Sequence, residues 1–148
     1  MVYELDITPR VIVGADTRTK VGEQARRLGF TRVLVVSDPF HEQAGRVDEI
    51  VHALNAAGLE ASVYAGVATE PDTEMVERGA EQFRADDCDG IVALGGGSPI
   101  DTAKTISVLV TNDGTVQQFM GTDTVPEPGA GVIALPTTSG TGSEATKV

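Results

Sequence analysis

The sequence predicts an α/β protein built on a doubly wound, mostly parallel sheet, and three observations carry that reading. Short runs rich in β-branched residues recur along the chain, with stretches of helical period between them. The runs are apolar nearly throughout, as strands covered on both faces are, instead of alternating with polar residues. At 148 residues the chain has the length of one domain with one core.

Taken in order, Arg10–Gly14 is the first predicted strand, for its Val11-Ile12-Val13 run, and Thr17–Leu28 the first helix. Arg32–Val36 follows as a strand of four consecutive aliphatic residues after Arg32. His41–Ala57 is predicted as one helix, because Val47, Ile50, Val51, Leu54 and Ala57 fall along a single stripe. Glu60–Ala65 and Gly90–Leu94 are the next strands, with a helix over Asp72–Ala85 between them. In the helix expected at Ser98–Val110, Ile100, Ala103, Ser107 and Val110 share a face, mostly small enough to sit close to a sheet. Thr111–Gly131 is punctuated by Gly114, Gly121, Pro126, Pro128 and Gly129 and reads as a connection with one short helix. Gly131–Leu135 is the last strand. A helix should follow its loop, so the domain spanning 1–148 is expected to be truncated at its C-terminal end.

Composition excludes several classes of function. Acids outnumber bases 22 to 11, for a net charge of −11, and no basic run is present, so a surface tracking nucleic-acid phosphates is excluded. No purely apolar run exceeds four residues, far short of the ~20 needed to span a bilayer. The Met1–Asp6 start carries acids where a signal peptide needs an apolar core. Cys88 is the only cysteine, so no internal disulfide can form, and a reducing cytoplasm is the expected location.

Three segments hold candidate chemistry. Gly95-Gly96-Gly97-Ser98-Pro99-Ile100-Asp101 lies between a strand and a helix, with Ser98 a good N-cap, Pro99 suited to the first helical position and Asp101 completing a Ser-x-x-acid cap. Free N–H groups at such a helix start attract a phosphate or pyrophosphate. A tight turn without a ligand is the alternative, although three consecutive glycines exceed what a turn needs. Asp38, at the end of the second strand, has two open readings. It can accept the hydroxyls of an adenosine ribose and repel a 2′-phosphate, or it can cap the helix ahead of Pro39. The third segment, Pro136–Glu144, brings three threonines, two serines and two glycines to the carboxyl end of a strand, where ligands of open α/β sheets bind.

The remaining reactive residue types offer less. His41 and His52, eleven positions apart on one predicted helix, would stand about 16 Å from each other, too far to share a metal ion. Both are expected to be surface or helix-packing histidines. The acids around Cys88 discourage its thiolate, so it is not expected to act as a nucleophile.

Gly95–Lys104, GGGSPIDTAK, and Pro136–Glu144, PTTSGTGSE, resemble the two signature segments of the iron-containing alcohol dehydrogenase family, and Val33–Asp38 and the Pro71 turn fall where that family has them. The resemblance covers essentially the whole chain. It implies a Rossmann-like, NAD-binding half of an enzyme that moves hydride between an alcohol or aldehyde substrate and nicotinamide. By motif match, Gly96, Gly97, Ser98 and Asp101 would lie along the pyrophosphate and nearby ribose. Thr137 and Thr138 would approach the adenosine side, Thr141 and Ser143 the nicotinamide side, and Asp38 matches the acid associated with NAD preference over NADP. The family's metal ligands, one Asp and three His, fall beyond residue 148. Iron or zinc is therefore expected only in a complete enzyme, this chain alone is expected to be inactive, and the complete form is expected to be a homodimer. Glu70-Pro71 departs from the family's Asn-Pro and places an acid near the cofactor. The other readings are a non-catalytic nucleotide-binding module, or a relative of dehydroquinate synthase or glycerol dehydrogenase.

Overall fold

Val33 and Val35 point to one side of their strand and Leu34 and Val36 to the other, and all four are fully buried. Such a strand needs a covering layer on each face. The computed structural model, which describes residues 9–68, 70, 72–119 and 124–145, supplies both. Met1–Asp6 and Pro71, to which the sequence assigned roles, lie outside the described residues.

The elements are α1 (Val21–Arg27), β1 (Arg32–Val36), α2 (Pro39–Gln43), α3 (Arg46–Ala56), β2 (Glu60–Tyr64), α4 (Thr73–Ala85), β3 (Gly90–Gly95), α5 (Gly97–Thr111) and β4 (Gly131–Pro136). Every strand pairing is parallel and the order is β2-β1-β3-β4. On one face, Val21 and Ala25 of α1 and Val47, Ile50 and Leu54 of α3 pack on Val33, Val35, Val92 and Leu94. On the other, Val76, Ala80 and Phe83 of α4 and Ile100, Ala103 and Ile106 of α5 cover Leu34, Val36, Ile91 and Ala93. The doubly wound parallel sheet expected from the sequence is the one observed. Helix α1 reaches α3 closely because residue 22 is glycine: a Cβ there would lie 2.5 Å from the Ala53 carbonyl oxygen.

Several expectations need correction. Arg10–Gly14 is not a strand: Val11 and Val13 are 70% and 89% exposed and make no sheet pairing among the described residues. The run has β-forming residues but no partner edge among the described residues, and strand character depends on that partner. The helix expected over His41–Ala57 is two helices, because Gly45 adopts φ +72° between them, a left-handed conformation that a helix interior does not tolerate. The Thr17–Leu28 helix opens as a 3-10 turn over Thr17–Lys20 before α1 begins. The short helix expected inside Thr111–Gly131 is a single 3-10 turn, Val116–Phe119. No helix among the described residues is long and apolar enough to cross a membrane.

Candidate functional site

The chain leaves β1 for the edge strand β2, then returns to the opposite side of β1 to form β3. The loops after β1 and β3 therefore diverge, opening a crevice at the carboxyl ends of the strands. The end of β1 is fastened there by buried Ser37, whose Oγ donates to the Leu94 carbonyl at 2.8 Å and whose N–H donates to the Tyr64 carbonyl at 2.9 Å. A groove of about 710 Å³ occupies the crevice, lined by Asp38 and His41 from the first loop, Gly96, Gly97 and Ser98 from the second, and Thr137 and Thr138 after β4.

Gly95 has φ +148°, and a Cβ on it would sit 2.6 Å from Pro99 Cγ, so the turn accepts only glycine. Gly96 is the N-cap of α5 and contributes no side-chain bond. The capping box expected of Ser98 and Asp101 is consequently absent. Helix α5 starts at Gly97, ahead of its predicted start, which puts Ser98 inside the first turn and Pro99 at the third position, where its missing N–H is one of the helix's orphans. The Gly97 and Ser98 N–H groups belong to the positive end of the helix, and both residues line the groove.

Asp101, released from capping, accepts a hydrogen bond from Ser143 Oγ at 3.1 Å. Ser143 is buried, Thr141 is exposed, and Thr141 Oγ1 donates to Glu144 Oε2 at 3.1 Å. At the other end of this loop the Thr137 N–H donates to the Gly95 carbonyl at 2.9 Å, tying it to the glycine turn. Lys104, one turn along α5 from Asp101, is held below its ordinary range by burial, against the opposing pull of Asp101 and Glu144.

The two readings of Asp38 prove compatible. Its Oδ1 accepts from the His41 N–H at 2.9 Å as the cap of α2, while its side chain, 20% exposed, lines the groove. The ring of His41 stands over the same carboxylate, with Nδ1 at 2.9 and 2.8 Å from the two oxygens. His41 is thus no surface residue: it is buried, whereas His52 is exposed. Its involvement with the site went unread in the sequence. The available signal was the Asp-x-x-His spacing across a helix start, which brings the two side chains together.

Other candidates are not among the residues that line the groove. Cys88 lies at the amino end of β3, the opposite edge of the sheet, and burial together with Asp86 pushes its thiol up to about 11. Glu70 is exposed. Among the described residues, no group of three or more His, Cys, Asp or Glu side chains is placed to hold a metal ion.

Against known proteins, the profile of the iron-containing alcohol dehydrogenase family matches residues 8–148. The NAD-dependent methanol dehydrogenase of Bacillus methanolicus is 32% identical over 96% of this chain and 37% of its own length. The 1,3-propanediol dehydrogenase of Klebsiella pneumoniae is 37% identical over 90% of this chain and 35% of its own. Among solved structures, the sulfoacetaldehyde reductase of Bifidobacterium kashiwanohense in complex with NAD+ superposes with a TM-score of 0.89 at 28% identity, covering 99% of this chain and 39% of that one. The chain spans little more than a third of the length of these relatives.

Proposed function

This chain belongs to the iron-containing alcohol dehydrogenase family, and we propose that it forms the NAD-binding portion of an enzyme that transfers hydride between an alcohol or aldehyde and nicotinamide. The observation that carries the proposal is the groove at the switch point of the sheet, which joins a carboxylate after β1, a helix start after β3 and a hydroxyl-rich loop after β4.

The donor set suits a dinucleotide. A Cβ at Gly96 would come 3.2 Å from Thr138 Oγ1 and one at Gly97 3.3 Å from Ser143 Oγ, so both glycines keep open a cradle that a side chain would fill. In this reading the Gly97 and Ser98 N–H groups hold the pyrophosphate, with Gly96 permitting its close approach. Asp38 accepts the hydroxyls of the adenosine ribose and repels a 2′-phosphate. Thr137 and Thr138 flank the adenosine side, Thr141 and Ser143 the nicotinamide side, and Asp101 holds Ser143 in place. NAD, when bound, supplies the acceptor for the hydride, and the protein supplies placement and electrostatic field. The described residues do not fit an iron or zinc ion. The metal and the substrate alcohol are assigned to residues outside these 148, a reading supported by the greater length of the relatives. A homodimer and a cytoplasmic location complete the proposal. Family resemblance supports the first, and the lone cysteine supports the second.

The test is alcohol oxidation by the full-length protein with NAD or NADP, followed by the absorbance of the reduced cofactor over a panel of short alcohols and diols. NAD should be preferred. Asp38→Gly removes a ribose acceptor and a repulsive charge, and should move the preference toward NADP by about 30-fold, equivalent to about 2 kcal/mol. A preference unmoved by this substitution would reduce Asp38 to a helix cap.

A further inference from the structure

The Asp38 carboxylate receives more hydrogen bonds than a helix cap requires. The cap is already made by the His41 N–H on Oδ1. The ring of the same residue adds Nδ1 at 2.9 Å from Oδ1 and 2.8 Å from Oδ2, spanning both oxygens. A carboxylate only accepts, so Nδ1 must carry the hydrogen. Nε2 of the ring is buried and has no partner among the described residues. Ring placement is therefore set on the polar side by Asp38 alone. On the apolar side it is set by burial, with 7% of the side chain exposed, and by an edge-to-face contact with Phe40 at 5.3 Å between centroids.

We propose that His41 is a positioning residue for cofactor choice: its ring holds the Asp38 carboxylate in the orientation that reads the adenosine ribose. The terminal torsion of an aspartate is broad, and one bond to one oxygen leaves the carboxylate free to swing about it. A second donor bridging both oxygens removes that freedom before any ligand arrives, which is the ordering cost that preorganised sites avoid. The orientation so fixed faces the site. Oδ2 lies 3.2 Å from where a Cβ of Gly95 would stand, on the side of the glycine turn, and it keeps acceptor capacity beyond the Nδ1 contact. The inference rests on the proposed NAD reading and adds to it the residue that makes Asp38 selective.

The test compares NAD and NADP affinity in the full-length protein carrying His41→Leu, His41→Asn, His41→Gln or Asp38→Gly, with thermal melting to confirm folding. Asparagine can place its amide nitrogen near the position of Nδ1, whereas glutamine reaches that of Nε2. The NAD/NADP affinity ratio should fall about tenfold in His41→Leu and His41→Gln and stay within about threefold of the parent in His41→Asn. In an Asp38→Gly background, His41→Leu should change the ratio no further, because the two act through one contact. If Asp38→Gly leaves the ratio untouched, the ribose reading itself fails. If Asp38→Gly collapses the ratio but His41→Leu and His41→Gln do not, the positioning role alone is wrong. Should His41→Leu fail to fold, the Asn and Gln variants carry the comparison. Nitrogen NMR of the parent ring decides independently: hydrogen on Nδ1 is expected, and a bare Nδ1 with hydrogen on Nε2 overturns the proposal.

Discussion

Ser143 Oγ donates to Asp101 Oδ2 across 3.1 Å, fastening the loop after β4 to the helix that begins at the glycine turn. The two residues are 42 positions apart in sequence, yet the bond sets how the hydroxyl-rich loop stands over the groove. Ser143 is buried while the neighbouring Thr141 is exposed, so this bond is the inner anchor of a loop whose other end is held by Thr137 on Gly95.

Asp101→Ala should free that anchor. Asp101 is exposed, so stability should change little, but the loop will have to be ordered when cofactor binds, and NAD affinity should drop about tenfold by calorimetry. Asp101→Asn keeps an acceptor for the Ser143 hydroxyl and should recover most of the loss.

Cys88 should be inert. Burial raises its thiol to about 11, so little thiolate exists at neutral pH. Alkylation by iodoacetamide in the folded protein should be negligible at neutral pH and should accelerate as the pH is raised toward that value. Rapid labelling at neutral pH would show that the amino end of β3 opens.

Asp89 should contribute to the acid stability of the fold. Burial acts to raise its carboxyl, but hydrogen bonds from the Thr31 side chain and from the Thr31 and Arg32 N–H groups outweigh it and hold the group below its ordinary range. A carboxyl lowered in the folded state stabilises above its unfolded pKa, and that contribution is lost as the pH falls through the folded value. Asp89→Asn should therefore cost about 1 kcal/mol at neutral pH, a small figure because the side chain is exposed to solvent. The deficit should shrink as the pH drops below about 4, which denaturant titrations across that window would reveal.

Much of this architecture was legible in the sequence because the physics that sets it is local and periodic. Val33–Val36 and Ile91–Leu94 are apolar without alternation, and only strands covered on both faces use that pattern. Failures came where a partner or a single backbone angle decided the outcome. Val11–Val13 has strand composition, but no property of the segment itself supplies an edge to pair with. Gly45 ends α2 through a left-handed φ, and the apolar stripe that suggested one helix, Val47 to Ala57, lies wholly beyond it in α3 and its C-cap. Ser98 has every feature of an N-cap and is not one, because Gly95 and Gly96 complete the turn first. Asp38, the glycine turn and the threonine loop were each readable as candidates from where they fall beside predicted strands. His41 was not, since its pairing with Asp38 depends on the helix start bringing the two side chains onto one carboxylate.

The central claim is that NAD lies with its pyrophosphate on the glycine turn, and calorimetric titration of NAD into the parent and into Gly97→Val tests it most directly. Gly97 is not among the glycines with positive φ, so the backbone accepts valine and the variant should fold. Its Cβ would stand 3.3 Å from Ser143 Oγ and 3.6 Å from Thr141 Cβ, and the branched methyls would fill the remaining space of the cradle. NAD binding by the parent and a loss of at least about 100-fold in the folded variant is the result predicted. Unchanged NAD affinity in a folded Gly97→Val protein would contradict the account.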